Sequence, residues 1–90
     1  MTTDTLYQVD FANTGIRERI RVVLVTSLHD GLLVALPQFN WCLSSLALTD
    51  EAPTAESLVG EGLDDMTAIF LAGILHQEWP ALRRGREEQP

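Results

Sequence analysis

The chain contains no lysine, one cysteine, two histidines and no apolar run longer than the eight residues Ala68–Leu75. Each scarcity removes a class of protein. A single cysteine cannot form an internal disulfide, which excludes the secreted disulfide scaffolds. Eight apolar residues fall well short of the ~20 that a bilayer-spanning helix needs. Six arginines against thirteen carboxylates give a net charge of −7. That balance excludes direct nucleic-acid binding, which calls for clustered Lys and Arg against phosphate. The segment MTTDTLYQVD lacks the basic-then-apolar pattern of a secretory leader, so a cytoplasmic location is expected. Arg without Lys is also the codon bias of a GC-rich genome, and the expected source is a bacterium or a phage.

What is present is unevenly distributed. Arg17, Arg19 and Arg21 lie near one end, and Arg83, Arg84 and Arg86 near the other. Between residues 22 and 82 there are eight carboxylates and no Lys or Arg, a formal charge of −8. Two readings follow: a solvated acidic coat that favours solubility, or an acidic face that docks on a basic partner. With 46% hydrophobic residues in a chain of 90, there is material for one core and not for two.

The pattern predicts a mainly α-helical single domain over residues 1–82, with three to four helices and an N-terminal extended strand or hairpin. Residues 83–90 (RRGREEQP) read as a flexible charged tail. Residues 1–5 read as a frayed terminus. Tyr7, Val9 and Phe11 alternate with Gln8 and Asp10, the period of a strand. Asn13-Thr14-Gly15 is turn chemistry. Residues 16–26 fit two templates: the β-branched Ile20, Val22, Val23 and Val25 favour a strand, yet the polar residues also collect on one helical arc. In the strand case the chain becomes α+β with a hairpin at 6–26. Ser27 and Asp30 resemble a capping box before Leu32–Leu36, so a helix is expected there, ended or kinked by Pro37. Phe39, Cys42, Leu43 and Leu46 then form a helical stripe over 38–48. Thr54 is placed to cap a short helix over 55–59. The last helix runs from Asp64 to Glu78, with Asp64 and Asp65 at its positive end and Pro80 just beyond it.

That helix is apolar on two sides. Met66, Ile69, Phe70, Gly73 and Ile74 share one face, whereas Ala68, Leu71, Ala72, Leu75 and Trp79 share the other. A chain this short has difficulty enclosing both, so one face is expected to meet the chain's own core and the other a second subunit or a partner. The second set has small residues that admit another backbone. Together with Trp41 and Leu48 it gives the expected partner-binding residues: Trp41, Leu48, Ala68, Leu71, Ala72, Leu75 and Trp79. On this reading Phe70→Ala costs stability and Trp79→Ala weakens association, with a homodimer as the commonest form.

Chemistry has little to stand on. Cys42 sits on an apolar stripe with no activating motif, which is the setting of inert core thiols. His29-Asp30 has no accompanying ligands, and His76 reads as a surface residue. Phosphate-binding loops, zinc pairs and calcium loops have no counterpart in the sequence. No catalytic, cofactor-binding or metal-binding residue is assigned. The expectation is a small acidic non-enzymatic regulator or inhibitor, an anti-activator or phage-type antagonist that binds and occludes another protein. The alternatives are an accessory subunit of an enzyme complex and a nucleic-acid mimic seated in a basic protein channel.

Overall fold

A computed structural model describes residues 2–10, 15, 17–27 and 31–88, with side chains through residue 85. Four strands follow one another as an antiparallel meander: β1 (Thr2–Val9), β2 (Glu18–Ser27), β3 (Gly31–Leu36) and β4 (Trp41–Leu46), side by side in the order β1-β2-β3-β4. Two helices follow, the short α1 (Ala55–Gly60) and the long α2 (Asp65–Glu88), and cover one face of the sheet. The fold is therefore an antiparallel sheet with one main helix, and not the mainly helical domain that the periodicity predicts.

The physical reasons lie in particular residues. Of residues 16–26, open between strand and helix, those from Glu18 onward are strand, and residue 16 lies outside the described residues. Tyr7 stands opposite Ile20 and Thr5 opposite Val22, which sets one face of the pair toward the core. β1 starts at Thr2, so residues 2–5 are paired with Val25–Val22 rather than frayed. The run Leu32–Leu36 is apolar throughout, and such a run fits a period of two as well as 3.6. In the sheet Leu32, Val34 and Leu36 turn inward and are fully buried. The expected Asp30 cap, His29, Asn13 and Thr14 lie outside the described residues.

In β4 a bulge disguises the strand. Val34 stands opposite Leu43 and Leu32 opposite Leu46, so β4 carries one residue more than β3 between those pairs. Ser45 takes a positive φ of 60° to absorb it. An extra residue converts a strand's spacing of two into the three that a helix shows, which is why Leu43 and Leu46 read as one helical stripe. The same irregularity dictates Gly31: its φ is +77°, and a Cβ there would lie 2.6 Å from the carbonyl oxygen of Leu46. Only glycine combines that backbone with that approach. Pro37–Phe39 forms one turn of 3-10 helix between β3 and β4, closed by left-handed Asn40, whose N–H donates to the Pro37 carbonyl at 3.1 Å. There the Gln38 side-chain oxygen accepts from the backbone N–H of Arg21 at 2.8 Å, a side-chain rung where β3 has already ended.

Both helices carry side-chain caps. The Thr54 hydroxyl oxygen accepts from the N–H of Ser57, and the Asp64 carboxylate from the N–H of Thr67, each at 3.1 Å. A hydrogen bond from the Thr67 side chain first, and then the one from its backbone N–H, hold the Asp64 carboxyl below the usual carboxylate range. α2 does not stop at Glu78. It continues through Pro80 to Glu88, so residues 83–88, which composition marks as a charged tail, belong to its last turns. Proline removes one helical N–H, and the carbonyl this frees belongs to exposed His76, within reach of water. Flanking it, Trp79 and Leu82 are buried, and their contacts hold the helix on course. The inward stripe Thr67, Ala68, Leu71, Ile74, Leu75, Trp79 and Leu82 follows spacings of one, three and four, the single seam of a helix lying on a sheet.

Candidate protein-binding surfaces

The expected partner-binding residues are mostly inside the chain. Ala68, Leu71 and Leu75 are fully buried, and Leu48 and Trp79 nearly so, while Trp41 and Ala72 are half-buried against the same core. Both indoles are tied to backbone: Trp79 Nε1 donates to the Thr49 carbonyl at 2.7 Å, and Trp41 Nε1 to the Glu61 carbonyl at 2.9 Å. The two tryptophans therefore pin the segments on either side of α1 to the sheet-and-helix body. Trp79→Ala is accordingly a stability substitution first. The small side chains of Ala68 and Ala72 pack into the chain's own core.

With that face inward, the opposite one is left outside. Ile69 is 65% exposed and Met66 47%, and Gly73 continues the same stripe with open space above it. Val59 of α1 is exposed as well and lines one depression with Ile69, Ala55, Glu56 and Asp65. An apolar patch thus spans both helices, with the exposed carboxylates of Glu56 and Asp65 beside it. Half-buried Phe70 flanks it and meets Tyr7 edge to face, ring centroids 5.8 Å apart. Burial there, and the nearby Glu78 charge, push the Tyr7 hydroxyl above its ordinary range. Spacing put Ile74 and Phe70 on this outer face with Met66, Ile69 and Gly73, but Ile74 is buried beside Leu75 and Phe70 packs half-buried against the core, so the outward stripe is narrower than expected.

A second surface is the uncovered side of the sheet. Val23, Val25, Leu33 and Ala35 stand there half-exposed on the two central strands, with Cys42 exposed on β4 and Leu6 on β1. Arg19 and Arg21 occupy the same side toward the start of β2. The Arg21 guanidinium makes a two-pronged contact with Asp4, its Nε donating at 2.9 and 3.1 Å, and this neighbour holds the Asp4 carboxyl below its usual range.

A third feature is a notch of about 490 Å³ beside the last turns of α2, lined by Asp50, Glu51, Ala52, His76, Trp79, Pro80 and Arg83. Its ends are joined by the Arg83–Asp50 ion pair at 3.0 Å. Among the described residues, no group of three or more His, Cys, Asp or Glu side chains comes together as a metal site would require. No helix among them is long and apolar enough to cross a membrane. Comparison with protein-family models, with curated proteins and with solved structures returns no match to this chain.

Proposed function

We propose that the protein is a small cytoplasmic non-enzymatic regulator that occludes a surface of another protein, using the α1–α2 patch of Val59, Met66 and Ile69. The observation that carries this reading is an apolar helix face left exposed by a chain whose core is already complete. Large apolar side chains grouped within a polar rim mark interaction sites rather than ordinary surface. The neighbouring carboxylates of Glu56 and Asp65 give the partner's chemistry: an apolar recess bordered by Arg or Lys. Apolar contacts supply the affinity, and the carboxylates orient the approach.

The test is affinity capture from the native host with the full chain, run in parallel with Ile69→Glu and Val59→Glu. Both positions are exposed, so the variants keep the wild-type circular dichroism. A specific protein held by wild type and released by both variants, with modest dependence on salt, is the expected result. Capture that survives both substitutions overturns the reading. Capture that collapses with rising salt yet ignores the apolar substitutions favours the mimic of nucleic acid, whose carboxylates alone would do the binding.

A further inference from the structure

The two edges of the sheet differ, and the difference carries an inference independent of the helix patch. A sheet edge offers unpaired N–H and C=O groups to another strand, and proteins blunt such edges with bulges, prolines, lysines or short strands. β4 is blunted: it is six residues long and bulged, with Ser45 at a positive φ. β1 has none of these devices. It runs eight residues without proline, glycine or lysine, its register with β2 is unbroken from Thr2 to Val9, and no described strand lies beyond it. Which of its backbone groups are open follows from β2. The Arg21 N–H points away from β1, since it donates to the Gln38 side chain beyond the end of β3. Arg21 stands opposite Leu6, so that pair is not a hydrogen-bonded one, and the N–H and C=O of Leu6 point to the open edge. By alternation the same holds for Thr2, Asp4 and Gln8, while Thr3, Thr5, Tyr7 and Val9 turn theirs to β2.

We infer that β1 pairs antiparallel with β1 of a second copy, about a two-fold axis beside Leu6 and perpendicular to the sheet, so that two sheets become one. Self-complementarity chooses this occupant. With Leu6 facing its own counterpart, Asp4 faces Gln8 of the second copy and Gln8 faces its Asp4. Each of these pairs exchanges two N–H···O bonds between groups that are otherwise open. Leu6, 56% exposed, gains a like neighbour, and Asp4, already held by Arg21, meets an amide rather than a charge. On the inner side Thr5 faces Tyr7 and Thr3 faces Val9, pairings that suit a sheet. A register two residues away would set the Asp4 carboxylate against Leu6. Charge over a longer range agrees. Residues 1–21 carry Asp4, Asp10 and Glu18 against Arg17, Arg19 and Arg21 and are balanced, whereas residues 22–82 carry a formal charge of −8. The β1–β2 hairpin is the neutral part of an acidic chain, where two copies meet with least repulsion. A basic partner would find its complement on the acidic body instead.

Sedimentation equilibrium and amide exchange by NMR, each over roughly 10 μM to 1 mM, test the inference in the range of weak affinity that edge pairing implies. Wild type is expected to pass from monomer to dimer and no further, since the two-fold contact is closed. The amides of Asp4, Leu6 and Gln8 should exchange freely in the dilute chain and slow about tenfold or more as the dimer forms. Those of Thr5 and Tyr7, already turned to β2, should change far less. Leu6→Glu sets two carboxylates against each other at the axis and is expected to raise the dissociation constant more than tenfold. In the monomer that carboxylate lies opposite Arg21, so the fold is kept. Gln8 reads the register: Gln8→Glu sets a carboxylate opposite Asp4 of the second copy and should raise the constant roughly 2- to 10-fold, whereas Gln8→Arg should lower it. A chain that stays monomeric throughout, or a dimer whose Asp4, Leu6 and Gln8 amides still exchange freely, overturns the inference. Protection of those amides that appears only when the captured partner is added, with the chain itself monomeric, overturns it in favour of a foreign strand. Ile69→Glu is expected to release the helix-patch partner without changing the dimer, which separates failure of one surface from failure of the other.

Discussion

On β2, Leu24 is 3% exposed beneath the helical layer, while Val25, the next residue, stands half-exposed on the other side of the same strand. β3 repeats the contrast with Val34 and Leu33. The two sides of the sheet are made from the same residue types, and the chain has one long helix with which to cover one of them. α2 repeats the dilemma one layer out, burying Ala68, Leu71 and Leu75 and leaving Met66 and Ile69 in water. Among the described residues, apolar side chains therefore exceed what the fold encloses, and apart from Phe39 on the 3-10 turn the large exposed ones lie on the helix patch and the outer sheet face. Collected surplus points to docking, because isolated exposed apolar side chains are ordinary and grouped ones are not.

Substitutions sharpen the contrast between enclosed and surplus positions. The largest effect is expected at the enclosed ones: Leu75→Ala should cost about 3–4 kcal/mol in urea unfolding. Leu33→Ala on the bare face should cost less than about 1 kcal/mol in dilute solution. Equal losses would erase the distinction between the two sides. Gly31→Ala comes next, at about 2–4 kcal/mol, since it combines a positive φ with a clash against the Leu46 carbonyl. That loss, read in the same unfolding experiment, would show that the β3–β4 register sorts side chains between the faces.

The smallest effect tests the anchoring of the covering helix. Asp64→Ala should cost about 1 kcal/mol at neutral pH through loss of the cap. The Asp64 carboxyl titrates below its unfolded value, so its contribution is fully present above about pH 4 and is lost as pH falls through the lowered value. Asp64→Asn keeps the accepting oxygen without the charge. It should recover most of the neutral-pH stability and flatten the acid dependence, which thermal melts at neutral and acidic pH will read.

Several of these features were legible in the amino-acid sequence. The Thr54 cap, the alternation at Tyr7 and Val9, and a last helix opening at Asp64–Asp65 all follow from local spacing, and local spacing survives folding. The β3 and β4 strands were not legible, because a short apolar run has no period of its own and the Ser44–Ser45 bulge imitates a helical step. The inward face of α2 was illegible for a different reason. Ala68 and Leu71 are core because a sheet lies beneath them, and that sheet comes from residues forty positions earlier. Pro80 misled through a sound local rule, overridden by the burial of Trp79 and Leu82 on either side of it. Trp41 and Trp79 stood out as aromatic anchors. What they anchor is this chain, through the carbonyls of Glu61 and Thr49.

The helix patch of Val59, Met66 and Ile69 is exposed, and it is the surface proposed to meet a partner. Methyl-resolved NMR of the full chain with a soluble paramagnetic agent addresses both faces at once. On addition of the captured partner, the methyls of Val59, Met66 and Ile69 should become shielded, while those of Val23, Val25 and Leu33 stay as accessible as in the free chain. Helix-patch methyls that remain accessible in the complex, or sheet methyls that become shielded in their place, would contradict that proposal.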